Sequence, residues 1–197
     1  MIHIGIDQSM GFTGVTVFRP GAPTEHIFYG ITHKKHTKWD KFIKNPPRGF
    51  VNRLTVLDFI KEEKSDDYAE NERIKYNNLI NIVTQIRGIF ETVARNFPDD
   101  VTDVRMEGVS FGSRATTAIA ELSALNYFIR QLCSEFGFEF TILPPTVVKK
   151  FATGNGQADK ALMTESFLAL NPDMRPVHEL IKLDDIADSY FMACWSE

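Results

Sequence analysis

The sequence predicts an α/β fold in which one mixed sheet carries helices on both faces. Three short apolar runs, at 2–7, 13–19 and 24–31, are separated by turn residues and predict a meander of antiparallel strands. Two later runs, at 101–109 and 138–143, alternate with segments of helical periodicity, which indicates crossover connections and parallel pairing. The expected element order is β-β-β-α-β-α-β-α-α, with five strands in the sheet.

The helices are predicted from apolar residues that recur at helical spacing. They are expected at 70–97, 116–136, about 158–169 and about 184–196. Residues 32–69 differ, because they are polar and basic and are interrupted by Pro46 and Pro47. We expect this segment to be an insertion with little regular structure, or with a short helix around 53–63.

Composition limits the class of protein. A length of 197 residues suits a single domain over 1–197, and 43% hydrophobic residues with 16 Phe suffice for a packed core. The apolar runs are too short for a membrane-spanning helix, and no secretory signal is evident. The two cysteines, Cys133 and Cys194, lie in apolar helical patterns and are expected to fill the core in a reducing compartment. We therefore expect a cytoplasmic protein.

The net charge of −4 conceals a local concentration of positive charge. Against the single acid Asp40, residues 33–53 carry Lys34, Lys35, Lys38, Lys41, Lys44, Arg48 and Arg53. Binding to phosphates requires only a local positive face, so the overall charge does not exclude nucleic acid. Trp39 and Phe42 lie among these lysines and suit a DNA arm that stacks on bases. A solvated basic loop or a small folded subdomain is the alternative.

Four acidic residues are expected to meet at one edge of the sheet. Asp7 ends the first strand and Glu107 ends the fourth, and these strands should be adjacent and parallel. Asp185 and Asp188 are three residues apart on the last helix and share a face. Asp184 is expected to cap that helix.

Carboxylates inside apolar segments are unfavourable unless something offsets their charge. A shared cation would do so, and hard oxygen ligands select Mg²⁺ or Mn²⁺. Two such ions about 4 Å apart suit in-line attack on a phosphodiester. The residues alone thus predict a metal-dependent site that handles phosphate, whereas an isolated strand-end aspartate would be read as a turn former.

The first acidic motif resembles that of a known family. Asp7, Ser9, Thr13 and Gly14 have the spacing Asp-x-Ser-x-x-x-Thr-Gly, which resembles the opening of phage-type RuvC resolvases. Gln8 departs from the bacterial members, in which Asp-Pro-Gly is more frequent.

The remaining motifs occur in matching order. Residues 106–113 are similar to the family's second acidic strand, and 144–160 to its block of lysines and glycines. Residues 184–189 resemble its closing Asp-x-x-Asp helix, and 182–189 also resemble poxvirus resolvases. The likeness covers roughly 1–31 and 70–197. Each motif is weak by itself, and their common order carries the resemblance.

The resemblance implies an RNase H-like fold and a RuvC-type Holliday junction resolvase of a phage or viral branch. Its metal ligands and catalytic residues would be Asp7, Glu107, Asp185 and Asp188, which would hold Mg²⁺, two ions per site, with Mn²⁺ able to substitute. The protein would act as a homodimer on four-way junctions or other branched DNA, in recombination, repair or viral genome processing. Paired cleavage would leave 5′-phosphates and 3′-hydroxyls. Helix 116–136 is the best candidate for the dimer interface.

Further residues are expected to contact DNA. Lys149 and Lys150 precede a Gly-x-Gly loop and a helix bearing Lys160, where lysines and backbone amides could hold a phosphate. An ordinary glycine turn is the alternative. Phe111, with Ser113 and Arg114 close to it, suits an apolar wedge against unstacked bases, although Phe111 could equally be a core residue.

Two other functions are compatible with parts of the pattern. An actin-like sugar kinase or ATPase shares the first hairpin, but it needs a second phosphate hairpin and a second large domain, for which 197 residues leave no room. A non-catalytic binder of branched DNA would be indicated by the loss of an acid, and all four acids are present.

The basic insertion is expected to supply electrostatic affinity for DNA. Replacement of Lys34, Lys35, Lys38 and Lys41 by Ala should weaken binding to DNA of any sequence and flatten its dependence on salt, because fewer counterions are released. Titrations at several salt concentrations measure both quantities. An unchanged affinity and slope would assign the segment another role.

Overall fold

The computed structural model describes residues 1–21, 26–32, 44–45, 53–108 and 116–196, without the side chains of Thr116 and Thr117. In this part of the chain, one sheet contains six strands in the order β4-β3-β2-β1-β5-β6. The strands are β1 (Ile2–Asp7), β2 (Phe12–Phe18), β3 (Ile27–Thr32), β4 (Leu54–Asp58), β5 (Thr102–Glu107) and β6 (Glu139–Leu143). β1 to β3 form the antiparallel meander, and β5 and β6 extend it in parallel from β1. The predicted fold class is confirmed.

β4 is a sixth strand that the sequence did not predict. It pairs in parallel with β3, so the expectation of little regular structure or a short helix around 53–63 is wrong there. Leu54 and Val56 pack on one face of the sheet and Leu57 on the other. Apolar residues on both faces remove the alternation that marks a strand, and β4 depends on long-range pairing with β3.

Six helices accompany the sheet in the described residues. They are α1 (Tyr68–Asn96), α2 (Thr116–Phe136), α3 (Pro145–Thr153), α4 (Lys160–Leu170), α5 (Arg175–Leu180) and α6 (Asp184–Cys194), with a 3-10 turn at Pro172–Met174. The four predicted helices are confirmed, whereas α3 and α5 were not predicted. Pro145 begins α3 at the first helical position, where a missing amide hydrogen is tolerated, and Gly154 ends it at a φ of 76°.

Each face of the sheet has its own apolar core. Ile4, Ile6 and Val15 point toward α1 and α2, which cover one face. Phe28 and Leu143 point to the other face, where α3, α4, α5 and α6 pack. No helix in the described ranges is long and apolar enough to cross a membrane. Cys133 and Cys194 are free thiols: Cys133 is buried in the first core, and the partly buried Cys194 packs against the second.

Helix α6 lies directly on the backbone of β1 and β2. A Cβ atom added to Gly5 would lie 1.9 Å from the carbonyl oxygen of Ser189 and 2.6 Å from the amide nitrogen of Ala193. Beside this contact, the buried hydroxyls of Thr16 and Ser189 are 2.8 Å apart and hydrogen bonded. Only glycine permits this approach, so Gly5 determines the distance between the helix and the sheet.

Replacement of Gly5 by Ala should lower the free energy of unfolding by about 3 kcal/mol, because the added methyl group forces helix and strand apart. Gly88→Ala is the matched control, since an added Cβ in α1 meets no described atom within 4 Å. It should raise stability by about 0.5–1 kcal/mol, as expected for Gly→Ala in a helix. Urea denaturation measures both variants, and equal effects would contradict the close contact.

Candidate active site

Asp7 and Glu107 end two neighbouring parallel strands. The register pairs Ile6 with Met106, so the residues that follow lie side by side on strands about 4.8 Å apart. Both side chains point to the face covered by α6, because Gly5 contacts that helix and side chains alternate along a strand. Both residues are partly buried. The predicted meeting of these acids at one sheet edge is therefore observed.

Gly14 brings the first turn of α6 to the same edge. It is the register partner of Asp7 on β2. A Cβ atom added to Gly14 would lie 2.1 Å from the carbonyl oxygen of Asp185. The predicted role of Asp184 as a helix cap is wrong, because Asp184 is already helical and Leu183 occupies the N-cap position. Asp184 instead accepts a hydrogen bond from Thr164, at 3.3 Å.

The turn between β1 and β2 is closed by the hydroxyl groups of its motif. Thr13 Oγ1 donates to the carbonyl oxygen of Ser9 at 2.7 Å and accepts from the Ser9 amide at 3.2 Å. Ser9 Oγ accepts from the amide of Gly11 at 3.1 Å. The Ser and Thr of the motif therefore stabilise the turn that directly follows Asp7.

The four carboxylates form one electrostatically coupled cluster. Burial, followed by the charges of Asp185, Asp188 and Glu107, raises the pKa of Asp7 well above its ordinary value. Burial and the charge of Asp188 raise the pKa of Glu107. Burial raises the pKa of Asp188 to about 6, and Asp185 and Asp184 add to the shift. Ionisation is less favourable for each of these three groups than for a carboxylate in water, so the nearby positive charge does not fully offset burial and repulsion.

Two of the predicted DNA-contact lysines face this cluster. The charges of Lys149 and Lys160 lower the pKa values of both Glu107 and Asp188, although burial outweighs them. Lys160 Nζ is 3.9 Å from Asp185 Oδ1, while 71% of the Lys160 side chain is exposed. Lys150, beside Lys149 in α3, is exposed.

The Gly-x-Gly loop uses several of its amides internally. The amides of Asn155 and Gln157 donate to the side chains of Thr153 and Asn155, and the amide of Leu162 donates to Asp159. These bonds leave the lysine side chains, rather than those three amides, available to a phosphate.

The donor chemistry fits a hard divalent cation. Carboxylate oxygens are the preferred ligands of Mg²⁺, and the raised pKa values mark a place where a cation would relieve repulsion. Within the described ranges, however, no three His, Cys, Asp or Glu side chains are arranged as a group that could hold a metal ion. The backbone places the four acids together, and their side chains do not form a ready ligand group.

Several predicted contacts lie outside the described residues. These are Phe111, Ser113, Arg114, Lys34, Lys35, Lys38, Lys41, Trp39 and Phe42. Arg53 is described and is largely shielded from solvent: it donates to Asp173 and Asn171 and lies over the Phe28 ring at 5.2 Å. Arg53 therefore anchors the start of β4 rather than extending a basic surface.

Sequence reasoning missed two amide side chains at the site. Gln8 Nε2 donates to the main-chain carbonyl oxygen of Glu107 at 2.9 Å, and Asn126 Nδ2 donates to the same oxygen at 3.1 Å. For Asn126 the sequence did offer a signal, because this polar residue lies on the buried side of α2, close to the core residues Leu125 and Ile129.

The fold is that of RuvC, an RNase H-like fold. The chain is similar to the structure of Thermus thermophilus RuvC in complex with a Holliday junction substrate, with a TM-score of 0.53 and 16% identity over 98% of this chain and 90% of that one. It is similar to a further T. thermophilus RuvC structure with a TM-score of 0.50 and 15% identity over 98% and 91% of the two chains. No protein family model and no curated protein matches the sequence.

In the absence of metal, Asp188→Asn should stabilise the protein at neutral pH. The pKa of Asp188 is raised from 3.8 to about 6, so its contribution to stability is present below pH 3.8 and is lost as the pH rises through about 6. The neutral amide removes this loss and should raise the melting temperature by roughly 3–6 °C at pH 7.5.

Thermal unfolding at pH 4 and pH 7.5 measures the effect, which should disappear at the lower pH. Asp99→Asn, at an exposed turn, is the control and should change little at either pH. If Asp188→Asn lowers the melting temperature equally at both pH values, ionisation of Asp188 does not destabilise the folded protein and the prediction is wrong.

Proposed function

We propose that this chain is a metal-dependent endonuclease that cuts Holliday junctions and other branched DNA. The observation that carries the proposal is the meeting of Asp7, Glu107, Asp185 and Asp188 at one edge of a RuvC-like sheet. Structural ion-pair networks also perturb pKa values, but here the carboxylates repel one another in a partly buried site.

In this proposal the four carboxylates are the catalytic residues that hold Mg²⁺, two ions per site, with Mn²⁺ as a substitute. The bound ions would supply an activated water and stabilise the leaving oxygen of the phosphodiester. Asp7 and Glu107 provide oxygens from rigid strand ends, and Asp185 and Asp188 provide them from one helix face. Lysine side chains attract and orient the phosphate backbone.

Two lysines near the carboxylates are proposed to have a different role from the other basic residues. The charges of Lys149 and Lys160 lower the pKa values of Glu107 and Asp188, which supports a role for both lysines in contacting the phosphate that is cut. Lys150, the insertion lysines Lys34, Lys35, Lys38 and Lys41, and the residues Phe111, Ser113 and Arg114 complete the proposed DNA surface. These assignments rest on sequence and on the likeness to RuvC.

The proposed assembly follows from the symmetry of the proposed substrate, a four-way junction. A junction with two-fold symmetry needs two equivalent sites, so we propose a homodimer that cuts two strands of like polarity. α2 is the proposed interface, and it exposes Tyr127. The products would carry 5′-phosphates and 3′-hydroxyls. We further propose that residues 1–197 form one nuclease domain, with the basic insertion, that acts in the cytoplasm during recombination, repair or phage genome processing.

The decisive variant is Asp188→Asn, assayed on a fixed four-way junction and on linear duplex. With Mg²⁺, junction cleavage should slow at least about a hundredfold, as when a catalytic group is lost. Binding of the junction, followed by gel shift in Ca²⁺, should be retained, because it depends on the lysines.

Asp99→Asn provides the comparison and should cut like the unmodified protein. If Asp188→Asn cuts the junction in Mg²⁺ as fast as the unmodified protein, the assignment of α6 to the active site is wrong. Cutting of linear duplex as fast as the junction would contradict the proposed substrate.

A further inference from the structure

Two buried amide groups meet at one main-chain atom of the site. Gln8 follows Asp7 in the chain and donates from Nε2 to the carbonyl oxygen of Glu107, at 2.9 Å. Asn126 reaches the same oxygen from α2, on the opposite face of the sheet from α6, at 3.1 Å. Gln8 is 8% exposed and Asn126 is fully buried.

These amides leave their own oxygens without partners. Among the described residues, neither Gln8 Oε1 nor Asn126 Oδ1 has a hydrogen-bond partner, and both atoms are buried. A buried acceptor without a partner destabilises a protein by about as much as one hydrogen bond stabilises it, or more. Stability alone therefore does not account for the two amides, since apolar side chains of the same shape would avoid the unpaired oxygens.

The position of the shared acceptor indicates what they do. Glu107 is the last residue of β5, and the regular pairing of the strand ends there. The two donors hold the peptide group that leaves Glu107, which fixes the backbone torsions that direct its side chain. Because Gln8 is covalently joined to Asp7, its bond also ties the ends of β1 and β5 to each other.

We propose that Gln8 and Asn126 are positioning residues that hold the Glu107 backbone beside Asp7, so that the Glu107 carboxylate can reach a divalent cation at this end of the sheet. This inference rests on the proposed function, in which Glu107 is a metal ligand. Neither amide touches the metal or the DNA, and each acts through the Glu107 backbone. Partners of metal ligands commonly change metal affinity or activity by about 10–100-fold when they are lost.

Gln8→Met is the informative variant, because it keeps the length of the side chain and removes both the donor and the unpaired oxygen. Mn²⁺ affinity of the full-length protein without DNA, measured by electron paramagnetic resonance, should weaken about tenfold. The urea midpoint without metal should stay the same or rise. In cleavage assays kcat should fall while the KM for the junction stays unchanged.

Asn126→Leu provides a second test from the other face of the sheet, and it should weaken Mn²⁺ binding in the same way. Gln85→Met is the matched control on α1, where it should alter neither Mn²⁺ affinity nor cleavage. A role in stability only would lower the urea midpoint and leave Mn²⁺ affinity unchanged. Failure of Gln8→Met to fold would likewise contradict the proposal, because metal-free stability is expected to be retained.

Glu107→Gln separates the two levels of inference. If it weakens Mn²⁺ binding while Gln8→Met and Asn126→Leu bind Mn²⁺ normally, the positioning role is overturned and the metal site stands. If Glu107→Gln and Asp188→Asn both bind Mn²⁺ like the unmodified protein, the proposed function itself fails.

Discussion

The direct contact between α6 and the backbone of β1 and β2 is the constraint on which the site depends. Gly5 and Gly14 replace a layer of side chains with main-chain contact, which places the first turn of α6 over the strand partner of Asp7. A larger residue at either position would lift the helix and separate Asp185 from Asp7. Gly14, the glycine of the opening motif, therefore helps to place Asp185, which is 171 positions later in the chain.

The far end of α6 is held from the same strand that carries Glu107. Arg105 donates to the carbonyl oxygens of Ala193 and Trp195, at the end of the helix where its dipole favours a cation. Arg105 is paired with Asp103: burial opposes ionisation of that acid, but nearby His3, whose Nδ1 is 3.6 Å away, and hydrogen bonds from Arg105 and Thr141 outweigh it and hold its pKa at about 2. One strand thus fixes both a site carboxylate and the helix that carries two others.

Parts of this arrangement could be predicted because they follow from local pattern and general topology. Turn residues and crossover rules predicted that the strands of Asp7 and Glu107 are neighbours. The three-residue spacing predicted that Asp185 and Asp188 share one helix face. β4 could not be predicted, since its pairing with β3 and the anchoring of Arg53 are long-range contacts. The hydrogen bonds of Gln8 and Asn126 to Glu107 are equally invisible, because they join residues 99 and 19 positions apart.

The balance of charge explains why the proposed activity would depend on a cation at the stage of binding as well as of chemistry. Four acids face Lys149 and Lys160, and these lysines do not prevent burial and repulsion from raising the pKa values of Glu107 and Asp188. A site with excess negative charge repels a phosphodiester, which is itself an anion. A divalent cation would reverse that local charge. Burial and repulsion therefore make ionisation of these carboxylates unfavourable in the folded protein, and a bound cation would relieve that effect where the proposed phosphate substrate approaches.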